Sequence, residues 1–109
     1  MIGVFDSGAG GLFALAELRS LSPSADIVCF ADRKNAPYGT KKKDELISLV
    51  TSGIDTLLAE GCSEVLMACC TASTVWELLP MRQRAVSVPI IVPTAEESLR
   101  LSKNKKIGI

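Results

Sequence analysis

Apolar residues fall along this chain in two alternating patterns. Short runs containing β-branched residues recur at Ile2–Phe5, Ile27–Ala31, Val65–Ala68 and Val88–Val92. The stretches between them place apolar residues three and four apart. Runs of the first kind are strands and stretches of the second kind are helices, and their alternation predicts an α/β fold: a parallel sheet with flanking helices. The clearest helix spans about Lys42–Glu60, where Leu46, Ile47, Val50, Ile54, Leu57 and Leu58 share one face and Gly61 supplies the stop. Shorter helices are predicted over Gly11–Leu21, halted by Ser22-Pro23, and over Ser73–Leu79, halted by Pro80. Thr94 and Glu97 form a capping-box pattern for a last helix through Leu101. Arg82–Ser87 reads as irregular. Lys105–Ile109 reads as a turn and the first residues of a further strand, which leads to the expectation that these residues are part of a longer chain.

Composition narrows the classes of function. A chain of 109 residues buries roughly two thirds of its unfolded surface, enough for one core. The 12 basic and 12 acidic residues cancel, so no overall field draws the chain to nucleic acid or to an anionic membrane. No apolar run approaches the roughly 20 residues of a bilayer span, and the first residues lack a signal peptide's basic start, so a cytoplasmic location is expected. In that setting the four cysteines are free thiols rather than a disulfide framework. Histidine is absent, which removes the commonest general base and zinc ligand. With no Cys-x-x-Cys spacing among Cys29, Cys62, Cys69 and Cys70, no metal site is expected.

Three segments can carry chemistry. Cys69 follows the third apolar run at the start of a helix, a place where an α/β protein makes a thiolate available. The first strand runs into Asp6-Ser7-Gly8-Ala9-Gly10-Gly11-Leu12, whose glycines bring backbone amides close to a ligand and whose following helix favours an anion. It matches neither a P-loop nor a dinucleotide fingerprint, and a plain tight turn is the competing reading. The second strand leads to Asn35-Ala36-Pro37-Tyr38-Gly39, a stiff loop able to position a small molecule or simply to enter the next helix. In a doubly wound sheet these three strand ends share one rim, so Asp6, Tyr38 and Cys69 are expected to converge. Cys29 and Cys62 read as small packing thiols, Trp76 as a packed aromatic, and Arg33-Lys34 with Lys41-Lys42-Lys43 as solvated charge.

Asp6-Ser7-Gly8-Ala9-Gly10-Gly11-Leu12, Asn35-Ala36-Pro37-Tyr38-Gly39 and Ala68-Cys69-x-Thr71-Ala72-Ser73, in this order and near these spacings, resemble the amino-terminal portion of the glutamate racemase family. The resemblance runs along essentially the whole chain. Aspartate racemases share the strand-end cysteine and usually lack the opening Asp-Ser-Gly. The resemblance implies a cofactor-independent inversion of glutamate for peptidoglycan synthesis, in which two cysteines on opposite faces remove and return the α-proton. It matches Cys69 to the first of these, Asp6 to an assisting carboxylate, and Ser7, Tyr38, Gly39, Cys70 and Thr71, together with Asp6, to substrate-binding positions. Glutamate is then the partner, with neither nucleic acid nor membrane, and a homo-oligomer is compatible. A thiolate base needs local donors, and amides around the substrate carboxylate would stabilise the carbanion.

Two departures bear on activity. The family carries Asn where this chain has Cys70, and losing that hydrogen bond to a charged ligand would cost roughly 1.5–3 kcal/mol, about ten- to a hundredfold in affinity. The family's other cysteine lies in a Cys-Thr-His motif of a second domain that these 109 residues do not contain. Residues 1–109 therefore read as the amino-terminal part of one incomplete racemase-type domain, inactive in racemisation when alone. The alternative is a non-catalytic remnant or binding module of racemase origin. A redox reading of Cys69-Cys70 is weakest, since adjacent cysteines form only a strained disulfide.

Overall fold

The computed structural model describes residues 1–108. Its strands are β1 (Ile2–Asp6), β2 (Ile27–Ala31), β3 (Glu64–Met67) and β4 (Ser87–Pro89), all parallel and ordered β2-β1-β3-β4. Helices α1 (Gly11–Leu21), α2 (Lys43–Ala59), α3 (Cys70–Ser73), α4 (Met81–Val86) and α5 (Ile91–Leu101) connect or follow them, with 3-10 turns at Tyr38–Thr40 and Trp76–Leu78. Phe5 lies level with Phe30 on one side and Met67 on the other, so the carboxyl ends of β1, β2 and β3 form one continuous rim. The α/β class and parallel sheet read from the sequence are what the fold shows.

The core forms where α2 crosses the sheet. Leu46, Val50, Ile54 and Leu57 of α2 are buried against Phe5, Val65 and Met67, and the rings of Phe5 and Phe30 stack 5.7 Å apart. Gly53 makes this approach possible: a Cβ there would lie 2.2 Å from the Phe5 ring and 2.9 Å from the Phe30 ring. The end of α2 is equally specified. Gly61 takes φ +91°, its N–H donates to the Leu58 carbonyl, and the Cys62 N–H donates to that of Leu57, a Schellman closure.

The opposite face carries α1 and is thinly covered. Gly11 lets the helix begin against β1, where a Cβ would stand 2.8 Å from that of Asp6. Farther along, Leu12, Phe13 and Leu21 remain exposed, and an apolar trough of about 430 Å³ runs between α1 and residues Leu66, Ala68 and Ile90. Cys29, expected to pack, is exposed on this face of the edge strand β2. Cys62 is buried as expected.

Several boundaries differ from the sequence reading, each for a local reason. The helix expected over Ser73–Leu79 starts earlier, at Cys70, and breaks after Ser73. The Thr74 hydroxyl donates to the Thr71 carbonyl at 2.6 Å and that of Ser73 to the Cys69 carbonyl at 2.9 Å, so side chains compete for helix acceptors. Arg82–Ser87, expected to be irregular, is mostly α4. Extended Pro80 opens it and the buried Gln83 amide donates to Asp55 Oδ1 at 2.7 Å, an anchor that apolar periodicity does not display. β4 ends at Pro89, and Ile91 and Val92 are helical rather than extended. Pro93 sits in the first turn of α5, where a missing N–H costs nothing, so α5 begins ahead of Thr94. The capping box does not form: Thr94 Oγ1 donates to the Ile90 carbonyl and Glu97 pairs with Arg100. Lys106–Gly108 form no strand, and Ile109, the end of that expected strand, lies outside the described residues.

Candidate active site at the strand rim

Cys69 stands at the carboxyl end of β3 as the N-cap of α3, 7 % exposed. Its extended backbone turns Sγ back over the first turn, where the Ala72 N–H donates to it at 3.4 Å. Ser7, 62 residues earlier on the rim after β1, places Oγ 3.2 Å from the same sulfur. A thiolate at this position would hold two donors, one backbone and one hydroxyl, and α3 is a single turn, so these contacts rather than a long helix dipole are what it would feel.

Asp6 ends β1 and is 5 % exposed. One of its oxygens accepts the Gly8 N–H at 2.8 Å, which folds the glycine loop back on its own carboxylate. A Cβ at Gly10 would lie 3.6 Å from that oxygen, so the loop passes close over the acid. Asp6 shares no hydrogen bond with Cys69 among the described residues; its neighbour in the chain, Ser7, makes that contact.

The second-strand loop is held by a residue outside the motifs singled out from the sequence. Asp32, directly after β2, is buried and accepts the Tyr38 hydroxyl at 2.8 Å and the Asn35 side-chain amide at 2.9 Å. The signal was present: an acid at a strand end with Asn three residues later is a turn-forming pattern. Tyr38 itself is 2 % exposed and tilts against Phe5, and the Ala36–Pro37 peptide is cis. Burial, then the bond to Asp32, then the charges of Asp32, Cys69 and Asp6 push the Tyr38 phenol well above its ordinary value.

Of the sequence-predicted residues, Ser7 and Cys69 touch. Tyr38, Gly39 and Thr71 line one cleft of about 300 Å³, edged by Lys41 and Lys43. Tyr38 and Gly39 open a 3-10 turn, so their N–H groups have no acceptor within it. Cys70 is exposed at the first position of α3. Asp6 lines neither this cleft nor the apolar trough.

A parallel sheet presenting a thiol, a hydroxyl and a carboxylate from adjacent strand ends defines an α/β protein whose candidate site lies at its rim. Among such proteins, the expected likeness to the amino-terminal portion of glutamate racemase holds in both sequence and fold. The chain is 39% identical over 110 residues to a glutamate racemase of Clostridium novyi, covering 99% of this chain and 42% of that one. It superimposes on a glutamate racemase structure from Aquifex pyrophilus with TM-score 0.86 at 34% identity, covering 98% of this chain and 43% of that one. A Francisella tularensis glutamate racemase in complex with D-glutamate matches with TM-score 0.75 at 27% identity, covering 92% of this chain and 39% of that one. The chain thus spans about two fifths of the length of these relatives. No protein-family profile matches it. No helix among the described residues is long and apolar enough to cross a membrane.

Proposed function

We propose that this chain carries one of the two half-sites of a cofactor-independent, cytoplasmic glutamate racemase serving peptidoglycan synthesis. Residues 1–109 are the amino-terminal part of its first domain. Cys69 is the base for one face of the α-carbon, and the observation that carries this is the meeting of Ser7 Oγ and the Ala72 N–H on Cys69 Sγ at the rim. As a thiolate, Cys69 takes the α-proton and leaves a carbanion, while Asp6 assists by holding the glycine loop that follows β1. The N–H groups of Tyr38 and Gly39, which have no acceptor within their turn, the Ser7 hydroxyl and Thr71 bind substrate carboxylates, as Cys70 does more weakly than an amide would. Inversion needs a second base on the opposite face, and these residues hold one.

The test is glutamate incubated with the purified chain in D₂O and followed by proton NMR and circular dichroism. Deuterium enters the α-position of one enantiomer with retention, and Cys69→Ser abolishes the exchange. Net inversion by the chain alone would contradict the one-base assignment. Absence of exchange, with no protection of Cys69 by glutamate, would favour the non-catalytic remnant, toward which Cys70 and the uncovered α1 face point.

A further inference from the structure

Asp32 is a buried carboxylate with no cationic partner among the described residues, an arrangement that is costly unless hydrogen bonds replace water. Both of its oxygens are occupied. Oδ2 accepts the Tyr38 hydroxyl at 2.8 Å, and each oxygen accepts the Asn35 amide at 2.9 Å. Its own N–H donates to the Asp6 carbonyl at 2.9 Å, extending the β1–β2 pairing one step past the strand. One residue therefore ties the end of β2 to the end of β1 and clamps the loop through Tyr38. That loop ends in the turn whose residues Tyr38 and Gly39 line the cleft with Thr71. The Tyr38 hydroxyl is consumed inside the protein, so what the loop offers a ligand is its backbone.

We propose that Asp32 is a positioning residue of this site, fixing the Pro37–Gly39 turn beside Cys69 by holding the Tyr38 phenol and the Asn35 amide. It acts through these two residues and touches no substrate. The description of the turn as part of a binding site rests on the racemase reading; the clamp itself does not.

Tyr38 is the chain's single tyrosine, so phenolate absorbance reports the clamp directly. In the folded wild-type chain, checked by far-ultraviolet circular dichroism, no phenolate forms near pH 10, where a free tyrosine titrates. Asp32→Asn keeps an acceptor and loses the charge, and its phenol titrates at lower pH than the wild type. Iodoacetamide labelling of Cys69, located by tandem mass spectrometry, gives the second readout. Asp32→Ala weakens protection by L- or D-glutamate at least tenfold, and Asp32→Asn restores most of it. An ordinary phenol titration in the folded wild type overturns the clamp without any variant, and equal glutamate protection in Asp32→Ala and the wild type overturns the positioning role. A clamped phenol in a wild-type chain that glutamate does not protect upholds the clamp and defeats the racemase reading instead.

Discussion

Replacing Gly53 with Ala sets two effects of opposite sign against each other. Gly53 lies inside α2, where glycine costs about 1 kcal/mol relative to alanine, so helix propensity alone predicts a more stable protein. Packing predicts the reverse. The new methyl would sit 2.2 Å from Phe5 Cε2 and 2.9 Å from both Phe5 Cδ2 and Phe30 Cε1, where ordinary contact begins at 3.4 Å. Phe5, which takes the closest contact, is fully buried and stacked on the partly buried Phe30, so its ring has no room to swing away. Restoring contact distance requires α2 to retreat by about 1.2 Å, and a gap of that size forfeits about half of the dispersion attraction around it. Overpacking of this kind costs about 1–3 kcal/mol, and the severity of the overlap places Gly53→Ala at or above the upper end. After the propensity gain, a net loss of about 2 kcal/mol is expected. Urea unfolding followed by the fluorescence of Trp76, the single tryptophan, measures it. Adding Phe5→Leu removes the ring that is struck, so the double variant should recover at least about 1 kcal/mol relative to the sum of the single losses. A Gly53→Ala protein as stable as the wild type would show that α2 is not held against the Phe5–Phe30 stack.

Two further outcomes follow from the site. The folded state raises the Tyr38 phenol through burial and Asp32, so it favours the protonated form: the contribution is complete below about pH 10 and is lost as the unfolded chain ionises above it, by up to about 1.4 kcal/mol per pH unit. Burial raises the Cys62 thiol with the same sign, so the diagnostic measurement is the difference between wild type and Tyr38→Phe, whose stability should fall less steeply above pH 10; parallel slopes would refute it. Cys70→Asn restores a two-sided amide at an exposed position facing no packing constraint, and should strengthen glutamate protection of Cys69 by about tenfold. Unchanged protection would mean that position 70 makes no contact with the ligand.

Much of the fold was legible because its signals are local. Ile2–Phe5 and Val65–Ala68 are apolar because they are central parallel strands, Ile27–Ala31 is apolar although the edge strand β2 has no fully buried residue, and α2 shows its period because one face meets the sheet. Where side-chain hydrogen bonds rather than apolar spacing set the boundary, as for Gln83 in α4, Thr74 after α3 and Thr94 in α5, the periodicity was silent or misleading. The rim motifs could be read residue by residue because each is a short continuous run, although of their glycines only Gly11 is demanded by a close approach, 2.8 Å from a Cβ there to that of Asp6.

The α/β class, the residue types gathered at the strand ends and the likeness to glutamate racemase over this length can all be read from the order of amino acids. Tertiary structure alone decided which of those groups meet. Ser7 and Cys69 touch because β1 and β3 pair in parallel with a register that levels their carboxyl ends, and Tyr38 turns inward because Asp32 follows β2 at that same rim. Apolar pattern fixes which face of a strand is buried, but which residue of a distant strand stands opposite is decided only when the strands pair.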